Sequence, residues 1–143
     1  MPRFEVYSGG TLVGHSELES GDSPMGVAFG KFLPLPAYDL IRAFTIAHVE
    51  QRECASQTHL QLIVRDHEGR ELNSCEGVKI FDYSAELGSD GLAVGPDFIE
   101  IYVIVIDRPL YEEVFPQHVA AYKDYWNEKS KIMKDNVVVS KNC

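Results

Sequence analysis

The chain is poor in cysteine, tryptophan and positive charge, and it has no long apolar run. Its three cysteines, Cys54, Cys75 and Cys143, are odd in number and widely spaced. No CxxC pair or His–Cys cluster accompanies them, which argues against zinc and redox motifs; no metal and no cofactor is expected. A Cys54–Cys75 bridge stays open, with reduced thiols the expectation for a cytosolic chain. The longest apolar run, Ile101 to Ile106, is far below the ~20 residues that span a bilayer. Phe4, Glu5, Val6 and Tyr7 alternate near the N-terminus, where a signal peptide would carry an apolar block. A soluble, cytoplasmic protein is expected.

Catalytic signatures are missing too. No serine stands in a GxSxG elbow, and neither an HExxH helix nor an EF-hand loop occurs. Gly21, Gly26 and Gly30 match neither GxGxxG nor Walker spacing, so they do not form a phosphate loop. No catalytic residue is assigned, and the standing of the common enzyme classes falls accordingly.

What the chain has is negative charge, unevenly spread. Residues 1–120 carry 8 Lys and Arg against 19 Asp and Glu, a net −11, whereas residues 121–143 carry 5 Lys against 3 acids, a net +2. Nucleic acid and anionic membrane demand a basic surface, so neither is an expected partner. A solvated surface is the plain account of such charge; complementarity to a basic protein is the sharper one.

With 143 residues, the chain fits one domain, 1–143, with 135–143 as a tail. Phe4–Ser8, Gly9-Gly10 and Thr11–Leu18 read as a β-hairpin with Phe4, Val6 and Leu12 toward the core. Glu19–Pro24 is a polar turn, and Val27–Phe32 a short strand bulged at Gly30. Pro36 opens a helix reaching Arg52, with Leu40, Ile41, Phe44, Ala47 and His48 as its apolar stripe. Strands are expected at Leu60–Arg65 and Gly77–Tyr83, with a loop through Gly88, Gly91, Gly95 and Pro96. Phe98–Ile106, β-branched and aromatic, suits a central strand buried on both faces. Short and long helices start at Pro109 and Pro116, the second with Phe115, Val119, Tyr122, Trp126 and Met133 in one stripe. This order predicts an α+β fold: a mainly antiparallel β-sheet with two main helices packed on one face.

Several side chains bear on function. His48, on the apolar stripe, reads as a core histidine bonded to a carbonyl. Asp66-His67-Glu68 at a hairpin tip reads as a solvated turn. Asp82, Tyr83 and Glu86 place carboxylates beside a phenol, the components of acid–base work only if burial splits their pKa values; a surface turn, or a helix start capped by Ser84, is the competing account. Residues 21–38 mix Gly, Pro and large apolar side chains and read as a joint between hairpin, helix and sheet.

Three functional readings follow. The first is a small acidic protein-binding module, an inhibitor or immunity-type protein that covers a basic partner surface. The second is an enzyme or small-ligand binder with a pocket near residues 25–38, drawing on His15, Tyr38, His48, Asp82 and Tyr83. The third is a homodimeric subunit joined through the C-terminal aromatic helix, because Tyr and Trp favour interface centres.

Overall fold

A computed structural model describes residues 3–51, 57–84 and 98–141, with the side chains at 48–51, 58 and 132–141 excepted. Its strands are β1 (Phe4–Ser8), β2 (Thr11–Ser16), β3 (Ser20–Asp22), β4 (Val27–Pro34), β5 (Leu62–Arg65), β6 (Ser74–Asp82) and β7 (Ile99–Ile106). Its helices are α1 (Arg42–Gln51), α2 (Arg108–Val114) and α3 (Pro116–Lys141), with 3₁₀ turns at Pro36–Leu40 and Thr58–Leu60. The class is α+β with an antiparallel sheet, as the order of elements predicts.

The strands lie in the order β5-β1-β2-β4-β7-β6, and β3 continues along β4 beyond the point where β2 leaves it. The two ends of this order meet again. Arg65 bridges Glu71, and Leu72 N–H donates to Val64 O at 2.8 Å. The sheet therefore curls toward a barrel, the outcome expected when a twisted sheet can bring its edges together. Further along β6, the Gln57 side chain substitutes for a strand. Its Oε1 accepts from Ile80 N–H at 2.8 Å and its Nε2 donates to Ile80 O at 2.9 Å, which satisfies a buried backbone pair.

Phe4, Val6, Val13, Leu18, Phe32, Ile80, Ile101 and Val103 fill the interior. The position expected for Leu12 goes to Val13, because the β1–β2 register shifts between Val6 and Tyr7. β7 is central, between β4 and β6, but it is not equally buried on both faces. Ile99, Ile101 and Val103 are buried, whereas Glu100, Tyr102 and Ile104 are half-buried. On the outer face, Phe29 stacks on Tyr102 at 4.9 Å and Phe81 packs edge-on against it at 5.2 Å.

The helix expected from Pro36 to Arg52 is broken. The 3₁₀ turn spaces residues by three, and Ile41 precedes the α-helix. This phase turns Tyr38, Ile41 and Thr45 inward and leaves Leu40 and Phe44 exposed, so of the expected stripe Ile41 is buried and Ala47 half-buried, with the His48 side chain outside the described residues. The polar turn at Glu19–Pro24 contains β3, and Gly30 sits in unbroken ladder with β7 rather than in a bulge. Gly30 is needed for room: the Glu19 carboxylate lies where its Cβ would be, while Glu19 Oε1 accepts Lys31 N–H at 2.8 Å. Gly26 is needed for its φ of +67°, in the turn that lets its carbonyl accept Ile106 N–H at 2.8 Å.

The helices sit toward opposite ends of the strands. Tyr38 and Thr45 meet Asp82 at the end of β6, while α2 and the start of α3 meet Phe4, Leu18 and Val27. Beyond Val119, α3 leaves the body, and every described side chain from Ala120 to Lys131 is exposed. Of the expected stripe, Phe115 is core, Val119 is half-buried, Tyr122 and Trp126 are exposed, and the Met133 side chain lies outside the described residues. A 26-residue helix is about 39 Å long. Among the described residues, no helix is long and apolar enough to cross a membrane. Cys54, Glu86, the loop from Gly88 to Pro96 and Cys143 lie outside the described residues.

Candidate functional site

Of the residues singled out in the sequence, the structure brings together Tyr38 and Asp82. Tyr38 comes from the 3₁₀ turn and Asp82 from the last position of β6. Tyr38 Oη donates to Asp82 Oδ2 at 2.6 Å and lies 2.6 Å from Thr45 Oγ1. Asp82 Oδ1 accepts from the Ser84 amide at 2.9 Å and from the Ser84 hydroxyl. Arg42 places Nη1 3.6 Å from Asp82 Oδ2 and its guanidinium 4.9 Å from the Tyr38 ring centre. Asp82 is therefore buried and not part of a surface turn, and its carboxylate caps the Ser84 amide; a helix starting at Ser84 would lie outside the described residues.

Burial is the main cause that pushes the Tyr38 phenol well above its ordinary pKa, and the bond to Asp82 adds to it. A phenol so raised stays protonated at neutral pH and keeps its proton for the bond to Asp82. Both carboxylate oxygens of Asp82 accept hydrogen bonds from described residues. The cluster fastens the 3₁₀ turn and α1 to β6.

The other singled-out residues lie elsewhere. Tyr83, one position beyond Asp82, packs edge-on against Phe98 at 5.5 Å on the outer side. His15 is half-buried in β2, opposite Glu5 and Leu33. The His48 side chain is outside the described residues. In the hairpin turn, His67 and Glu68 are exposed, but Asp66 is buried. It accepts from the Glu68 and Arg70 amides, each at 2.9 Å, and from Arg70 Nε at 3.0 Å. Burial raises its carboxyl, yet these hydrogen bonds outweigh it and hold the pKa below the usual range.

A second buried cluster escaped the sequence reading. His118 places a ring nitrogen 2.8 Å from Leu18 O and stacks on Phe115 at 5.1 Å. Tyr111 Oη donates to Val27 O at 3.0 Å, and burial pushes its phenol up to about 12. Tyr111, Phe115 and His118 recur at four and three residues, a helical signal for one inward face. Among the described side chains, His118 is a histidine bonded to a carbonyl.

Among the shallow clefts at the described surface, two adjoin each other. One, of about 420 Å³, is lined by Glu19, Phe29, Lys31, Phe98, Ile99 and Glu100. The other, also about 420 Å³, is lined by Glu19, Ser20, Gly21, His118, Tyr122 and Tyr125. They adjoin through Glu19 and Ser20. Above the second stands the exposed part of α3, where Tyr122, Tyr125 and Trp126 are 39%, 53% and 44% exposed. Tyr122 and Tyr125 pack edge-on against Trp126 at 6.1 and 5.5 Å, and Lys129 Nζ sits 5.2 and 5.7 Å from the Tyr125 and Trp126 ring centres.

Among the described residues, no group of three or more His, Cys, Asp or Glu is arranged to hold a metal ion. No protein-family model, curated protein or solved structure matches the chain. Function is therefore argued from these surfaces alone.

Proposed function

We propose that this chain is a protein-binding module of the inhibitor or immunity type, working without a cofactor in the cytoplasm. Its contact surface is the exposed aromatic face of α3. The observation that carries the reading is the cluster of Tyr122, Tyr125 and Trp126 on a helix the body does not cover. Three large rings in water are costly, each hiding ~150–250 Å² when fully buried. Such rings grouped on one helix mark a contact surface, where Tyr and Trp contribute most of the binding energy.

The acidic body supports the choice of a basic partner. Arg42, Arg70 and Arg108 are each paired with carboxylates of the chain itself. Exposed Glu17, Glu71 and Glu76 have no ion pair among the described residues. Such a surface steers a basic protein toward the contact and accelerates association at low salt.

The test is co-purification from native lysate at low salt, comparing the wild type with Tyr125→Ala/Trp126→Ala. The expected result is one stoichiometric protein held by the wild type, lost from the variant and released at high salt. Retention of the same proteins by both chains would remove α3 from the proposed function.

A further inference from the structure

The two adjoining clefts differ in charge. The one at β4 and β7 carries Lys31 beside Glu19 and Glu100. The one at the foot of α3 is walled by Glu19, Ser20, His118, Tyr122 and Tyr125, and no cation is among the residues that line it. A group entering this second cleft meets a carboxylate, aromatic faces and hydrogen-bond acceptors.

Gly21 lets β3 come down onto the helices, since a Cβ there would stand 2.5 Å from Tyr111 Oη and 2.7 Å from His118 Cδ2. Glu19 and Ser20, next in the chain, thereby join Tyr122 and Tyr125 in one cleft wall. Glu19 Oε1 accepts Lys31 N–H at 2.8 Å, which fixes the carboxylate, while Oε2 takes no hydrogen bond among the described residues. His118 Nε2 donates to Leu18 O at 2.8 Å, because a carbonyl only accepts. The lone pair of the neutral ring then lies on Nδ1, which has no hydrogen-bond partner among the described residues, in a residue only 6% exposed. The tyrosine rings already hold a cation of the chain itself: Lys129 Nζ sits 5.2 Å from the Tyr125 ring centre, outside the cleft lining.

We infer that the cleft at the foot of α3 receives an arginine side chain of the basic partner protein. This rests on the reading of α3 as the contact surface for such a protein, and it names the group that anchors the contact. Charge selects a cation: Glu19 has no ion pair among the described residues, and residues 1–120 are net −11. Shape selects arginine over lysine. A guanidinium is planar, stacks on aromatic rings and holds several N–H donors in a fixed fork. One such group can bond the free oxygen of Glu19 and a second acceptor, Ser20 or His118, while lying on a tyrosine ring. An ammonium is compact and strongly hydrated, and gives up more water on entering. The cleft, of about 420 Å³, has room for a guanidinium and its stem. Because Tyr122 and Tyr125 belong both to the cleft and to the exposed face, a partner lying along α3 reaches it without leaving that surface.

The test is a titration of the full chain with N-acetylargininamide at low salt, followed by nitrogen–proton correlation spectra. Saturable shifts are expected at the amides of Ser20, Gly21, Ala121 and Tyr122, and they should weaken at high salt. N-acetylcitrullinamide, the uncharged analogue of the same shape, and N-acetyllysinamide should each bind at least about threefold more weakly. Glu19→Gln keeps an acceptor for Lys31 N–H but loses the charge, and Tyr125→Leu removes a ring from an exposed position. Each should weaken the arginine probe about threefold or more, with far-ultraviolet circular dichroism unchanged. No saturable shift at these amides, equal binding of the citrulline probe, or wild-type affinity in both folded variants would overturn the cation site. Equal binding of the lysine probe would overturn arginine as its occupant. Failure of the probe with co-purification intact would strike the cleft and keep α3 as the contact surface. Binding of the probe with no co-purified protein would strike the protein-binding reading instead.

Discussion

Replacing Asp82 tests whether the buried cluster fastens the fold. Asp82→Ala removes the acceptor of Tyr38 Oη, of the Ser84 amide and hydroxyl, and the counter-charge near Arg42. Hydrogen bonds to a buried charged group contribute about 1.5–3 kcal/mol each, and orphaned donors add to the loss. Arg42 is partly exposed and Tyr38 retains Thr45, so the total expected is about 3 kcal/mol. For a chain of this size that is a fall in Tm of roughly 10 °C. Tyr38→Phe removes one donor from the same carboxylate and should cost about 1–2 kcal/mol. The double variant should be less destabilised than the two single losses added together, by about 1 kcal/mol, because the two groups share a bond. Urea denaturation with unchanged slopes is the assay. A loss below about 0.5 kcal/mol for Asp82→Ala, or strict additivity with Tyr38→Phe, would refute the clamp.

Three further outcomes are expected. Gly30→Val must displace the Glu19 carboxylate and its exposed bond to Lys31 N–H, costing about 1 kcal/mol by urea denaturation; Gly26→Val forces a β-branched residue to φ +67° and should also destabilise the fold. A folded Gly30→Val variant of wild-type stability would contradict the close approach. Asp66 has a depressed pKa, so its contribution is present above the unfolded value near 4 and lost as pH falls through the folded value. The stability gap between wild type and Asp66→Asn should accordingly narrow below about pH 4, and a constant gap would count against the hydrogen-bonded carboxylate. Tyr111 has a phenol raised to about 12, so its contribution is complete below the unfolded value near 10 and lost as pH rises toward the folded one. Tyr111→Phe should flatten the loss of stability between pH 10 and 12, measured by urea denaturation.

The sequence made local order legible and long-range pairing opaque. Gly9-Gly10 between alternating runs marks the hairpin, and the apolar run at 98–106 marks the central strand, because each signal lies within a few residues. Register was not legible: the shift that exchanges Leu12 for Val13 depends on how β1 meets β2 in space. The same holds for Tyr38 and Asp82, which are 44 residues apart and share no motif; each was noticed, but only folding shows that they bond. His118 was overlooked although Tyr111, Phe115 and His118 have helical spacing, because a pattern cannot reveal the carbonyl of Leu18. For α3, periodicity correctly gives a stripe, yet it cannot distinguish a stripe that meets the body from one that outruns it. The glycines and prolines of residues 21–38 announced a joint, and the structure gives two of them definite tasks: room for Glu19 at Gly30 and a turn at Gly26.

The most direct measurement of the central claim compares co-purification by the wild type and by Tyr125→Ala/Trp126→Ala, with circular dichroism to show that both are folded. The exposed face of α3 as the contact surface predicts a stoichiometric protein held by the wild type and absent from the variant. Equal retention of that protein by the folded variant would contradict it.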